Sequence, residues 1–446
     1  MIKKGTLIVL VCAVVLGGAV YYFDWKHGSV EKPAEDTSKP AFSIQASDIA
    51  SITLSHPSTP DAPPIRIERR QAAWEIVEPL DTTADQATAQ GIADLLAGAR
   101  SSQTEPGAPD RLKAYGLDPL QVSVEFQLKS GAKHTLLIGE KDFAGDSVYA
   151  IVDAAKDVSL LPDTLLTSCS KSVDQLRDRA VLHVDSSHAT SFALRNSSGQ
   201  MEVAKQNGDW KFTKPSPGRA DTQAVESLLS AATTAQMAGV ASEQPENLGK
   251  YGLASPSIVF AIVADSGEKS TLLVGKKEGD VCFAHDPSRP MIFRITGDLC
   301  KKLDVTYADL RDKQVLHFDA DNITRVEIHN AHGTIIATRS EGDEWTLASP
   351  DAQKGKSAAS WKIFDPLTGL RAEEVLEHPP PNLAAKLATP AIEVTLLSKD
   401  GATTILRMSH ETGGAVYART SDNTAVYKLK KEDFDSLNFD ATQIQL

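Results

Sequence analysis

Three of the five tryptophans in this 446-residue chain fall at one interval. Trp74, Trp210 and Trp345 stand 136 and 135 residues apart, each in a short alternating run that ends at Pro79, Pro215 or Pro350. The same offset recurs elsewhere. Tyr115-Gly116-Leu117 returns as Tyr251-Gly252-Leu253, and Thr135-Leu136-Leu137-Ile138-Gly139 returns as Thr271-Leu272-Leu273-Val274-Gly275. A third, more diverged copy keeps Pro390, Ile392, Val394 and Leu396 against Pro256, Ile258, Phe260 and Ile262. This period far exceeds the roughly 20–50 residues of a solenoid unit, so each copy is long enough to own a hydrophobic core.

Period-two alternation predicts a strand at the head of each copy, over 49–54, 189–194 and 323–328. A second strand and the Trp strand complete a meander, which proline ends because it has no N–H to give to the ladder. A helix follows. Asp85 and Asp221 sit at its start, where a carboxylate favours the free N–H groups, and Ile92, Leu95 and Leu96 or Val225, Leu228 and Leu229 form its apolar stripe. Four more strands are expected in copy one, over 122–128, 134–138, 148–152 and 158–161, the first two joined at Ser130-Gly131. A short helix then hands over through Leu176-Arg177-Asp178 or Leu310-Arg311-Asp312. Runs of strands set apart from helices predict an α+β class with mostly antiparallel sheets, as three tandem divergent β-meander/helix/β-sheet/helix units. The copies are bounded at 42–183, 184–317 and 318–446, where Val181-Leu182-His183-Val184-Asp185 and Val315-Leu316-His317-Phe318-Asp319 repeat each other.

The chain opens differently. Lys3 and Lys4 precede an uncharged run from Gly5 to Phe23, closed by Asp24 and Lys26 and flanked by Tyr21, Tyr22 and Trp25. That length approaches the ~20 residues of a spanning helix. The run lacks the shorter apolar region and small-residue cleavage site of a secretory signal, the alternative weighed against it. Residues 1–25 are expected to be a cytoplasmic stub and transmembrane anchor, and 26–41 a polar tether. The bulk would then lie outside the cytoplasm, in a single-pass membrane protein. With 46 basic against 59 acidic residues the formal charge is -13, which argues against a nucleic-acid partner held by its phosphates.

In this order, twice, the Trp strand ending in Glu78-Pro79, the Ala84-Asp85 and Ala220-Asp221 helix starts, the Tyr-Gly-Leu elements, the Leu-Leu-Ile/Val-Gly hairpins and the Leu-Arg-Asp connectors resemble a bacterial family of unknown function, DUF4340. The third copy departs, with Ala385-Lys386-Leu387 and Met408 at the Tyr-Gly-Leu and hairpin-glycine positions. The resemblance implies an envelope protein anchored in the inner membrane, with protein partners in an ABC-type transport complex of the gliding-motility kind. No catalytic residue is established for the family. None is carried over.

The residues themselves supply no starting point for catalysis. Val274-Gly275-Lys276-Lys277 lacks the remaining features of a phosphate-binding loop, and the pair of lysines reads as a solvated hairpin end. His329, His332 and Glu327 could offer three metal ligands, but alternation puts Glu327 and His329 on one face and His332 in a turn. Arg177-Asp178 and Arg311-Asp312 could clamp a polar ligand; their place after a helix suggests that Arg serves the last helical carbonyls and Asp caps the turn. Tyr115 and Tyr251 could form a carbohydrate platform or bury their rings beside Gly116 and Gly252. His183 and His317 recur in register and suggest a structural role at the junctions. Cys12 lies within the apolar run, Cys169 stands apart, and Cys282 with Cys300 could form a bridge. No catalytic, cofactor-binding or metal-binding residue is assigned. The expected function is a non-enzymatic accessory or scaffold protein, with a glycan- or lipid-binding module and then a hydrolase as alternatives.

Overall fold

In the computed structural model, residues 38–59, 61–340 and 342–446 are described. They fall into two compact units, one ending at Arg179 and one running from Ala180 to Leu446.

The first unit contains β1 (Lys39–Pro40), β2 (Ile49–Ser55), β3 (Ile65–Arg70), β4 (Ala73–Glu78), β5 (Thr82–Thr83), α1 (Gln86–Gly98), β6 (Arg100–Ser101), β7 (Gln103–Glu105), β8 (Val122–Leu128), β9 (Lys133–Lys141), β10 (Ser147–Val152) and β11 (Val158–Pro162). Nine of these strands form one sheet in the order β5-β4-β3-β2-β8-β9-β10-β11-β7, while β1 pairs with β6. Both halves are antiparallel meanders. They join where β2 meets β8, Ile52 lying opposite Phe126, with a register shift between Ile49 and Ser51 that bends the sheet at its centre. Alternation decides which side chains face inward: in β2 Ile49, Ile52 and Leu54 are buried, and in β8 Val122, Val124 and Phe126. Trp74 on β4 closes that core, and α1 lies over it with Ala89, Ile92, Ala93 and Leu96. The Asp85 carboxylate accepts from the Thr88 N–H at 2.8 Å, fixing where the helix begins.

The second unit carries two further nine-stranded sheets, and each repeats the first order strand for strand. Trp210 and Trp345 occupy the place of Trp74 on Asp209–Lys214 and Trp345–Ser349, each buried in its own core. Pro79, Pro215 and Pro350 all follow cis peptide bonds.

The fold class differs from the α+β expectation. Among the described residues the structure is mostly β, 42% strand against 21% helix, because the two strand runs of each copy pair into one sheet instead of standing apart from substantial helical layers. The longest described helix, α1, has 13 residues. Among the described residues no helix is long and apolar enough to cross a membrane, a span that takes ~20 residues. The described residues thus hold no spanning helix to support the single-pass inner-membrane expectation, whose helix, expected over 5–23, lies outside them.

The Tyr-Gly-Leu elements and the hairpin glycines prove to be two halves of one contact. In the first unit the Glu140 N–H donates to the Tyr115 carbonyl at 2.9 Å. A Cβ on Gly139 would collide with that carbonyl, and one on Gly275 with the carbonyl of Tyr251. Gly116 and Gly252 hold φ of 64° and 73°, and a Cβ there would meet the backbone N of Glu140 or Lys276 at 2.7 Å. The third copy has a helix, Pro381–Ala388, in place of the tight turn, and buries Met408 in place of the glycine. Both motifs are lost together because neither is needed without the other. Gly139→Ala and Gly275→Ala are each expected to cost about 1–3 kcal/mol in urea unfolding, from overpacking against a backbone that cannot yield. Gly91→Ala, in α1 with nothing within 4 Å, is expected to add about 0.5–1 kcal/mol.

Candidate functional site

The second unit holds a polar cleft of about 530 Å³ where its two sheets adjoin. It is built on the connector that follows the helix Tyr307–Leu310, a helix capped by Thr306 and Asp309. At Arg311 the backbone becomes extended, with φ -71° and ψ 132°. The Asp221 N–H donates to the Leu310 carbonyl at 2.8 Å and the Asp312 N–H to the Arg219 carbonyl at 3.1 Å. Three residues later the same segment pairs on the other side: the Val315 N–H donates to the Leu370 carbonyl at 3.1 Å, and the Ala372 N–H to the Lys313 carbonyl at 2.7 Å. One short extended segment thus serves as a strand for both sheets' flanking segments.

Side chains follow the same plan. Arg311 is 5% exposed; its Nη1 donates to the Arg219 carbonyl at 3.0 Å and its Nη2 pairs with Glu377 at 2.7 Å. The guanidinium rests on Gly218, where any Cβ would strike Nη1, and lies 6.0 Å from the Tyr307 ring. The Tyr307 hydroxyl donates to the same Glu377 oxygen at 3.4 Å. Arg311 Nε has no hydrogen-bond partner. Arg371 reaches across to Asp221 at 2.9 Å, while the other Asp221 oxygen caps the helix Thr222–Thr233 through the Ala224 N–H. His317 Nε2 lies 2.6 Å from Asp312, whose second oxygen accepts from the Gln314 N–H at 2.9 Å. Burial pushes the Asp312 carboxyl up, but the His317 hydrogen bond, the Gln314 N–H and the charges of His317 and Arg219 outweigh it and hold it below its ordinary value. Burial holds the Tyr307 phenol above its own.

Several sequence candidates are placed otherwise than as ligands. Arg311 serves a carbonyl of the neighbouring strand segment and not the end of its own helix, which corrects the expectation for that connector, while Arg177 pairs with Asp174 of the preceding helix; Asp312 does cap the turn. His329 bonds Glu327 at 2.9 Å and Thr334 at 2.8 Å on the same hairpin, while His332 is exposed in the turn, its backbone N–H donating to Asn330 Oδ1 at 2.9 Å. Among the described residues no three His, Cys, Asp or Glu side chains gather as metal ligands. The Tyr115 ring stacks on Tyr149 at 4.3 Å and the Tyr251 ring meets Phe283 edge-on at 5.0 Å. Lys276 and Lys277 are exposed. Cys282 and Cys300 form a disulfide, and burial pushes the Cys169 thiol up to about 12.

Two participants escaped the sequence reading. Glu377 belongs to no motif, and nothing local couples it to Arg311. The third copy of the connector, Ile444-Gln445-Leu446, was legible as a spacing: Arg177, Arg311 and Gln445 are 134 residues apart. It pairs as the others do, the Ala359 N–H donating to the Ile444 carbonyl at 2.8 Å just as Asp85 donates to Leu176 at 2.7 Å.

The family model of DUF4340, a domain of unknown function, matches residues 74–218 and again 210–386. Each match starts on a Trp strand, the third strand of a sheet, and so runs across a connector into the next copy. No curated protein matches the chain.

Glu377→Gln is expected to cost the second unit about 3 kcal/mol, near the low end for stranding a buried charge because Glu377 is 25% exposed. The double variant Arg311→Met, Glu377→Leu should return to within about 1 kcal/mol of the wild type in the same denaturation assay. A carboxyl held below its unfolded value contributes stability that is complete above that value, about 3.9, and is lost as pH falls through the folded one. Unfolding midpoints between about pH 5 and 2 should therefore fall less steeply for Asp312→Asn than for the wild type.

Proposed function

Since the chain belongs to the DUF4340 family, whose domain has no known function, we propose that it is a non-enzymatic accessory or scaffold protein, a rigid β frame that presents surfaces to protein partners. What supports this reading is how the cleft spends its chemistry. Arg311 is committed to Glu377, Arg371 to Asp221 and His317 to Asp312, and the backbone between them is committed to two strand partners. Groups fastened to each other in this way hold the frame; the Asp312–His317 pair has the form of an oriented base, but among the described residues no nucleophile is hydrogen-bonded to His317. An auxiliary place in an ABC-type transport complex is the finer form of the proposal, and it rests on the family resemblance alone.

One observation favours a second reading, a glycan- or lipid-binding module. The first unit has a groove of about 470 Å³ with Ala62, Pro63, Ile65, Leu80 and Val173 among its walls. Its counterparts lack the extra chain that walls it. Nine residues separate β2 from β3, whereas two residues separate the corresponding strands after Asn196 and after Asn330. Those asparagines donate to the carbonyls of Val305 at 2.7 Å and Phe439 at 2.8 Å; at their position stands His56, its Nε2 3.3 Å from the Cys169 carbonyl.

The full chain, purified, is expected to show no turnover on ester, glycoside, peptide or phosphoester substrates and to bind a protein partner in fixed stoichiometry. Turnover abolished by both Asp312→Asn and His317→Ala would overturn the scaffold reading. A thermal shift with palmitate or a chito-oligosaccharide that Leu80→Trp removes would establish the groove as a binding site instead.

A further inference from the structure

Three large apolar side chains are exposed among the described residues, Phe143, Trp361 and Leu446, and Phe143 alone of these is exposed in full. It stands at the tip of the β9–β10 hairpin. The fold does not require it there: Lys141 pairs with Val148 across six intervening residues, while the matching Lys277 pairs with Cys282 across four, and that shorter turn carries Gly279-Asp280 and no aromatic residue. The longer loop is nevertheless well tied. The Asp142 carboxylate accepts from the N–H of Gly145 at 2.9 Å and of Ser147 at 3.2 Å, Gly145 supplies φ of 82°, and the Asp163 N–H donates to the Asp146 carbonyl at 3.1 Å. A loop backbone tied in this manner loses little freedom when something closes over its tip, so only the Phe143 side chain has to be ordered, which suits a contact anchor. The surroundings are acidic. Glu140, Asp142 and Asp146 flank the tip, and the one nearby cation of the hairpin, Lys141, is paired with Asp163 at 2.7 Å.

We propose that Phe143 is the anchor by which the first unit docks on a partner protein whose surface offers an apolar pocket rimmed by lysine or arginine. The inference rests on the scaffold reading and deepens it by giving the partner's contact surface a chemistry. The pocket takes the ring, and the basic rim meets the acidic collar, so binding weakens as salt rises.

The test uses the full chain in its own cells with Phe143→p-benzoylphenylalanine, which keeps an aromatic ring at the tip and cross-links on irradiation. The expected result is one protein adduct whose cross-linked segment is apolar and flanked by Lys or Arg. With that protein purified, Phe143→Ala should weaken binding at least about tenfold while its unfolding curve stays that of the wild type, and Phe143→Leu should recover most of the loss. No adduct, an adduct to lipid only, an acidic contact segment, or wild-type binding by Phe143→Ala would each overturn the proposal. The last of these would leave the scaffold reading standing with another docking surface. A chain that binds no protein by any surface would remove both.

Discussion

The second unit depends on how the backbone of 310–316 is satisfied. An extended segment at the margin of a sheet leaves N–H and C=O groups that must find partners when they are buried. Here the first part of the connector is bonded to 219–221 and the rest to 370–372, so neither copy can be removed without stranding buried polar groups of the other. The buried Arg311 follows from this arrangement. It enters the cleft because the backbone turns extended at that residue, and once there its charge demands Glu377, its bulk demands Gly218, and its spare Nη1 takes the Arg219 carbonyl. Ion pairs of this kind add little net stability against an apolar replacement, whereas losing one partner leaves the other charge buried and uncompensated.

Around that frame the copies diverge where the fold leaves them free. The sheet order, the Trp position and the backbone pairing of the connector are held in all three, while the loops after β2 and after β9 change length and content. The first copy receives both of its distinctive surface features, the groove beside His56 and the tip carrying Phe143, from such loop changes. Features added at hairpin ends leave the sheet order and the Trp position of the copy unchanged.

The sequence alone determined the period, seven of the nine strands of the first sheet and the Asp85 and Asp221 helix caps, because alternation, proline, and a carboxylate before a helix act within a few residues; β5 and β7, two and three residues long, are too short to show alternation. It also located the connector and both glycine motifs by repetition. It could not say what they were for. Gly139 reads as a hairpin end until the Tyr115 carbonyl is seen against it, and Arg311 reads as a helix terminus until Glu377, 66 residues on, is seen beside it. The class was misjudged for the same reason. Alternation tells which face of a strand is buried and not which strand lies next to it, so the pairing of β2 with β8, which merges two meanders into one sheet and makes the protein mostly β, was decided only when residues some seventy apart in the chain met in the tertiary structure.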